Sequence, residues 1–268
     1  MLFADDQSLI YENEEQLQNH VNSLSAICRK YNMKINTQKT ETMKICRTPS
    51  PLNIQIDNIG VKQVSEFKYL GSIFTENGSL DREIETRCQK ANAVTYQLSP
   101  LLLHPKIEME VKRQMIYSIF LPTLCYQCQT WSLSSSHYRK IVTCEMKCLR
   151  KAAGVTRLDR LRNEDIRERI GIIPCTEYIE RQQIKWFGHI MRMDHDKLPV
   201  QAYNQMRSGY KARGRPRKRW IENVRDILNK HGHSTAEATH LALERKLKLQ
   251  SPLRLTARVD NKPPGDRQ

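Results

Sequence analysis

The chain has 268 residues, with 44 Lys and Arg against 29 Asp and Glu, for a formal net charge of +15. Its 39% hydrophobic and 7% aromatic content is lean for one compact globule, so one large or two small domains with some solvated helix or tail are expected. No run approaches the roughly 18 apolar residues of a membrane span, and Met1 to Asp6 turn acidic at once, unlike a secretory leader; no membrane association and an intracellular setting are expected.

The chain opens unusually. Met1 to Ala4 reads as the end of a buried strand, Asp5-Asp6-Gln7 as an acidic turn, and Ser8 to Tyr11 as a resumed strand: a hairpin with its first arm cut short. A helix is predicted near Asn13 to Lys30, with Leu17, Val21, Leu24, Ile27 and Cys28 on one face and Asn32 as a left-handed stop. Short strands are predicted at Glu41 to Cys46, Leu52 to Ile56 and Phe67 to Phe74, with Pro49 and Pro51 as separators and Asn77-Gly78 as a turn. After residue 79 the apolar period becomes helical. Stripes run Leu80 to Leu98, Ile107 to Ile119 and Tyr138 to Ala152, the last interrupted by Glu145. Asn163 is the expected N-cap of the next helix, with Glu164 and Asp165 in its first turn. Further helices are predicted at Cys175 to Met193, Trp220 to about Asn229 and Thr235 to about Leu249, with Pro199, Gly209, Gly214 and Pro216 breaking the region between the first two.

Adjacent carboxylates in a tight turn have a specific chemical use. They can hold Mg²⁺, which prefers oxygen ligands, and two such ions about 3.5–4 Å apart can clamp the attacking and leaving oxygens of a phosphoryl transfer. An ordinary Asp-rich turn has the same local sequence. The downstream residues bear on the choice. Phe3-Ala4-Asp5-Asp6 resembles the F/Y-A-D-D box of reverse transcriptases, and Met33 to Glu41 resembles the L-x-x-N-x-x-K-T-E segment downstream of it in LINE-type (non-LTR) retrotransposon enzymes. Phe67-Lys68-Tyr69-Leu70-Gly71 resembles their F-K-Y-L-G segment near the primer grip. Pro122 to Trp131, Cys148-Leu149-Arg150, Trp186 to Met193 and Gly214 to Trp220 resemble four later family segments in the right order, so that the resemblance covers about residues 1 to 230. The pattern departs at Gln127, where Gly is usual, and at Gln129, where Glu is usual.

The resemblance implies a fragment of an RNA-directed DNA polymerase, cut within the catalytic palm. By it Asp5 would be a Mg²⁺ ligand and Asp6 its less critical neighbour, Lys39 would sit near the incoming triphosphate, and Phe67, Lys68, Tyr69 and Gly71 would form a primer-grip-like segment. Lys39 is otherwise a surface lysine, and Phe67 to Tyr69 an amphipathic strand. The family also uses a further aspartate from an upstream strand, together with fingers and a template channel. Missing palm and fingers would have to come from a longer chain, so Mg²⁺ is expected only in a complete enzyme, and the fragment is expected to be inactive alone.

Arg207, Lys211, Arg213, Arg215, Arg217, Lys218 and Arg219 form a basic run without an acid, broken by Gly and Pro. It suits phosphate binding, an AT-hook-like Arg-Gly-Arg in a minor groove, or a nuclear localisation signal; a solvated linker is the plain alternative. DNA and RNA are the expected partners and a nuclear location is expected. Trp220 beside the run reads as a helix-start core residue, with stacking on a base as the other reading. Cys125, Cys128, Cys144 and Cys148 have a spacing reminiscent of a zinc site, but their apolar positions read as burial, so no zinc is expected and all eight cysteines read as free thiols. The expected fold is α+β. A short palm-remnant sheet spans 1–78, a helical thumb-like region 79–206, a basic segment with C-terminal helices 207–250, and a disordered tail 251–268. The rival to a polymerase fragment is a non-catalytic DNA- or RNA-binding module derived from such an element.

Overall fold

The computed structural model describes residues 2–46, 50–205 and 218–247. The tail 251–268, and all of the basic run except Lys218 and Arg219, lie outside the described residues. The fold is α+β, and the chain divides into two units, Met1–Glu83 and Ile84–Gln268.

The first unit is built on helix α1 (Glu14–Lys30). Asn13 caps it by accepting the Gln16 amide at 2.8 Å, Glu14 and Glu15 occupy its first turn, and Asn32 ends it in the left-handed region at φ 56°. Leu17 and Val21 face the core as expected, but Ile27 is exposed; buried Ser25 takes that side of the helix, donating to Asp57 at 2.6 Å. The strands are very short and form four separate two-stranded ladders rather than one palm-like sheet. β1 (Leu2–Phe3) and β2 (Asp6–Gln7) are antiparallel, and β3 (Glu41–Thr42) pairs parallel with β6 (Lys62–Gln63). β4 (Gln55–Ile56) and β5 (Ile59–Gly60) form a hairpin whose turn is Asp57-Asn58, both at positive φ. The expected single strand at Phe67 to Phe74 is instead a hairpin of β7 (Glu66–Tyr69) and β8 (Ser72–Thr75), reversed at Leu70-Gly71, where φ is 45° and 86°. The unit's core is small: Val21, Ile54, Ile56 and Val61, with Leu9, Leu17, Ile35 and Leu52 packed on it. Each aliphatic side chain so buried contributes on the order of 1.5–3 kcal/mol.

The second unit is helical. α2 (Asp81–Leu102) leads into a run in which α3 (Met109–Met115), a π-helical turn (Ile116–Phe120) and α4 (Leu121–Leu124) follow without a break. After a 3₁₀ turn at Cys128–Thr130, α5 (Ser135–Ala153) starts at a reciprocal cap between Ser134 and His137 and stops at Gly154, φ 66°. α6 (Asn163–Ile170) has Arg162, not Asn163, at its N-cap; the Asn163 side chain instead accepts from Arg150 at 2.9 Å. α7 (Cys175–Met191) agrees with expectation. Pro199 opens α8 (Leu198–Asn204) instead of breaking it, because the first turn of a helix has no use for the amide proline lacks. α9 (Trp220–Lys230) and α10 (Thr235–Leu243) pack on α7 through Ile184, Phe187, Val224, Ile227, Leu228 and Ala238. α10 is shorter than expected, ending before Arg245 at φ 58°.

The polar interruption in α5 has a partner. Glu145 is 1% exposed and accepts from Arg167 Nη2 at 2.6 Å and the Cys175 amide at 2.7 Å, joining α5 to α6 and α7. Buried Gln183 of α7 donates to the carbonyls of Trp131 and Cys128 and accepts from Asn223 of α9. Among the described residues no helix is long and apolar enough to cross a membrane.

Candidate functional site

The acidic box lies on the β1–β2 hairpin. Asp5 is in the turn and Asp6 opens β2 opposite Phe3, so the pair straddles the turn's end instead of both forming it. Ala4 stands at φ 52°, a left-handed conformation that costs an L-residue about 1–2 kcal/mol. Residues 3–7 are exposed, contrary to the expected buried strand, and Ser8 to Tyr11 resume no strand. The hairpin is fastened just beyond, where Leu9 packs on the α1 core.

Lys39 sits in a turn that Asn36 organises: the Lys39 amide donates to both the backbone and side-chain oxygens of Asn36, at 3.2 and 3.1 Å. Its side chain is exposed, and Ile35 ties the segment to the same core as Leu9. Phe67, Lys68 and Tyr69 lie on β7 and Gly71 in the following turn; Phe67 and Tyr69 are half-buried and Lys68 is exposed. The three sets of palm-like residues therefore lie on separate small ladders and turns of one unit, two of them held to one core.

A two-metal centre needs more oxygen ligands than one Asp pair can offer. Among the described residues no group of three or more His, Cys, Asp or Glu is arranged to hold a metal ion. The acids present fit a part of a Mg²⁺ site and do not fit a whole one.

Of the basic run, the two described members are already engaged. Lys218 pairs with Asp226 at 2.5 Å, and Arg219 Nη2 donates to the Gln205 carbonyl at 3.3 Å. Arg207, Lys211, Arg213, Arg215 and Arg217 lie outside the described residues. Trp220 begins α9 as expected, packs on the α7–α9–α10 core and donates Nε1 to the Gln129 carbonyl at 2.8 Å.

A second cationic region was missed in the sequence. Arg139, Lys140 and Lys147 project from α5 into solvent, and half-buried Arg150 and Lys151 end the helix. Exposed Arg157, Arg160 and Arg162 follow in the connection to α6. Only two acids interrupt this stretch. Glu145 is buried against Arg167, and Asp159 accepts from the Thr156 amide and hydroxyl, which hold its carboxyl below the usual range. The signal was the i, i+1, i+8 spacing of cations on the face opposite the apolar stripe.

The cysteines do not form one cluster of four. Cys125 interacts with Cys128 and Cys175, and its thiol is pushed well up by the hydrogen bond with Cys128 and by burial. Cys144 interacts with Cys88 instead. All eight thiols are free.

Residues 1–74 match a family model described as reverse transcriptase (RNA-dependent DNA polymerase). That span contains the acidic hairpin, the Lys39 turn and the β7 hairpin. The chain is thus similar to reverse transcriptases over its first 74 residues, and to transposon proteins over longer stretches. Over 232 residues, 83% of this chain and 82% of the other, it is 22% identical to a transposon-derived protein of Caenorhabditis elegans. Over 159 residues it is 25% identical to a Drosophila melanogaster protein described as a probable RNA-directed DNA polymerase from transposon BS; the match takes in 55% of this chain but only 18% of that protein. No solved structure matches.

Proposed function

We propose that these residues are part of an RNA-directed DNA polymerase of a LINE-type retrotransposon, and that alone they bind DNA and RNA without extending a primer. Polymerase chemistry in this reading belongs to a longer polypeptide, whose remaining palm and fingers complete the Mg²⁺ centre begun by Asp5 and Asp6. Lys39 then faces the triphosphate, and Phe67, Lys68, Tyr69 and Gly71 the primer end. A nuclear location goes with this reading, since target DNA is there.

The observation that carries the binding half is the cationic stretch from Arg139 to Arg162, whose two acids are both internally engaged. Such a face neutralises phosphates and releases their counterions. The test is fluorescence anisotropy of the 268-residue chain on single-stranded and duplex oligonucleotides across a salt series, alongside primer extension with Mg²⁺. Salt-weakened binding without extension is expected. Templated extension would refute the inactive half, and absence of binding at low salt the other half.

A further inference from the structure

Between α2 and α5 lies a cavity of about 540 Å³ into which two cysteines from distant parts of the chain open. Cys88 comes from α2 and is half-buried; Cys144 comes from α5 and is buried. The Cys144 thiol reaches the Cys88 carbonyl at 3.6 Å and Asn92 Oδ1 at 3.7 Å, which sets the Cys144 sulfur directly against residue 88. Arg139, Lys140 and Lys147 line the same cavity, and Glu85, the one carboxylate among its lining residues, is paired with Lys140 at 3.0 Å. We propose that Cys88 and Cys144 are a peroxide-oxidised dithiol site whose disulfide staples α2 to α5.

The roles of the two sulfurs come from their surroundings. Cys88 is the more open to a small oxidant. The Cys144 side chain as a hydrogen-bond donor beside it, with the charges of Lys140 and Lys147, outweighs burial and lowers the Cys88 thiol below its usual range. Cys144, that donor and the more deeply buried, is pushed up and keeps its proton. The Cys88 thiolate therefore attacks hydrogen peroxide: a sulfur–oxygen bond forms, the oxygen–oxygen bond breaks, and hydroxide leaves. The sulfur, now a sulfenic acid, is two electrons more oxidised. Cys144 sulfur then attacks Cys88 sulfur, the new sulfur–oxygen bond breaks, and the hydroxyl leaves as water with the thiol proton of Cys144. A thiol reductant reverses the step by exchange.

Cys28 and Cys46, half-buried in the other unit, are internal controls. The fully reduced 268-residue chain is treated with a small excess of hydrogen peroxide at neutral pH, quenched with iodoacetamide and mapped after trypsin. The expected product is lighter by two hydrogens and contains peptide 88–90 joined to peptide 141–147, with Cys28 and Cys46 still alkylated. The cross-link should form far more slowly in guanidinium, where the helices no longer hold the sulfurs together. In Cys144→Ser, Cys88 should stop at a sulfenic acid that dimedone captures, and Cys88→Ser should leave Cys144 reduced. Oxidation of Cys28 or Cys46 ahead of Cys88, or a Cys88 sulfenic acid in the wild-type chain that never closes on Cys144, would overturn the proposal. The wild-type map decides the matter even if a serine variant fails to fold.

Discussion

At Gln127 the backbone takes φ 61° just before the 3₁₀ turn that carries Cys128 and Trp131 into the core. An L-residue held there is penalised by about 1–2 kcal/mol, which accounts physically for the glycine usual at this point of the resembling enzymes. The side chain recovers a little by accepting from Gln129 Nε2 at 3.0 Å. Gln127→Gly should therefore stabilise the second unit by about 0.5–1 kcal/mol, the relief being partly offset by the larger unfolded-state entropy of glycine. Urea unfolding followed by circular dichroism reads this as a raised midpoint at constant slope. A lowered midpoint would mean that the Gln127–Gln129 hydrogen bond outweighs the strain. Local sequence is informative at such sites: the departure from the family pattern falls on the strained residue of this turn, and Asn32 is the left-handed stop expected of it. It is uninformative where a side chain's partner is remote along the chain, because nothing local marks Gln129 as the acceptor for Trp220 or Asp57 as the acceptor for Ser25.

The long helices were legible because each buries a stripe that repeats with the helical period, and tertiary packing only confirms that period. Glu145 appeared as a blemish in such a stripe and is instead the joint between three helices. Arg167, with a 10% exposed side chain, is the cation in that joint. Arg167→Leu leaves a buried carboxylate with only the Cys175 amide, and should destabilise the second unit by about 3–5 kcal/mol. Pairing it with Glu145→Leu should recover part of that deficit, since the uncompensated charge goes while the Cys175 amide stays unmet. Denaturant midpoints of both variants and the double mutant check this, and a double mutant no better than Arg167→Leu would show that the joint is not chiefly electrostatic. The strands of the first unit were far less legible. Two-residue ladders carry no measurable alternation, and a tight reversal such as Leu70-Gly71 looks from sequence like the middle of one strand. The acidic box itself was read from its residue types and order, while its exposure and its place on an isolated hairpin depend on packing that no spacing encodes.

For the molecule as a whole, the excess of 15 positive charges is shared between at least two places, the α5 face with its following connection and the run from Arg207 to Arg219. Their contributions to binding can be separated, because ionic pairs with phosphate are counted by the salt slope and not by affinity at one condition. Every phosphate that loses its cation should reduce the slope by about 0.9 on duplex and about 0.7 on single strands. Arg139, Lys147, Arg157 and Arg160 have exposed side chains, so replacing all four by Gln should lower the slope by as much as about 3.6 on duplex if all four meet phosphates. Neutralising Arg213, Arg215, Arg217 and Arg219 should lower it as well. Lys218 differs, since its ammonium is already paired with Asp226, and Lys218→Gln should shift the slope by much less than any one of those cations does. Should the α5 quadruple variant keep the full wild-type slope while the Arg213 to Arg219 variant gives up most of it, the helix face is merely solvated and the grip on nucleic acid belongs to the later segment alone.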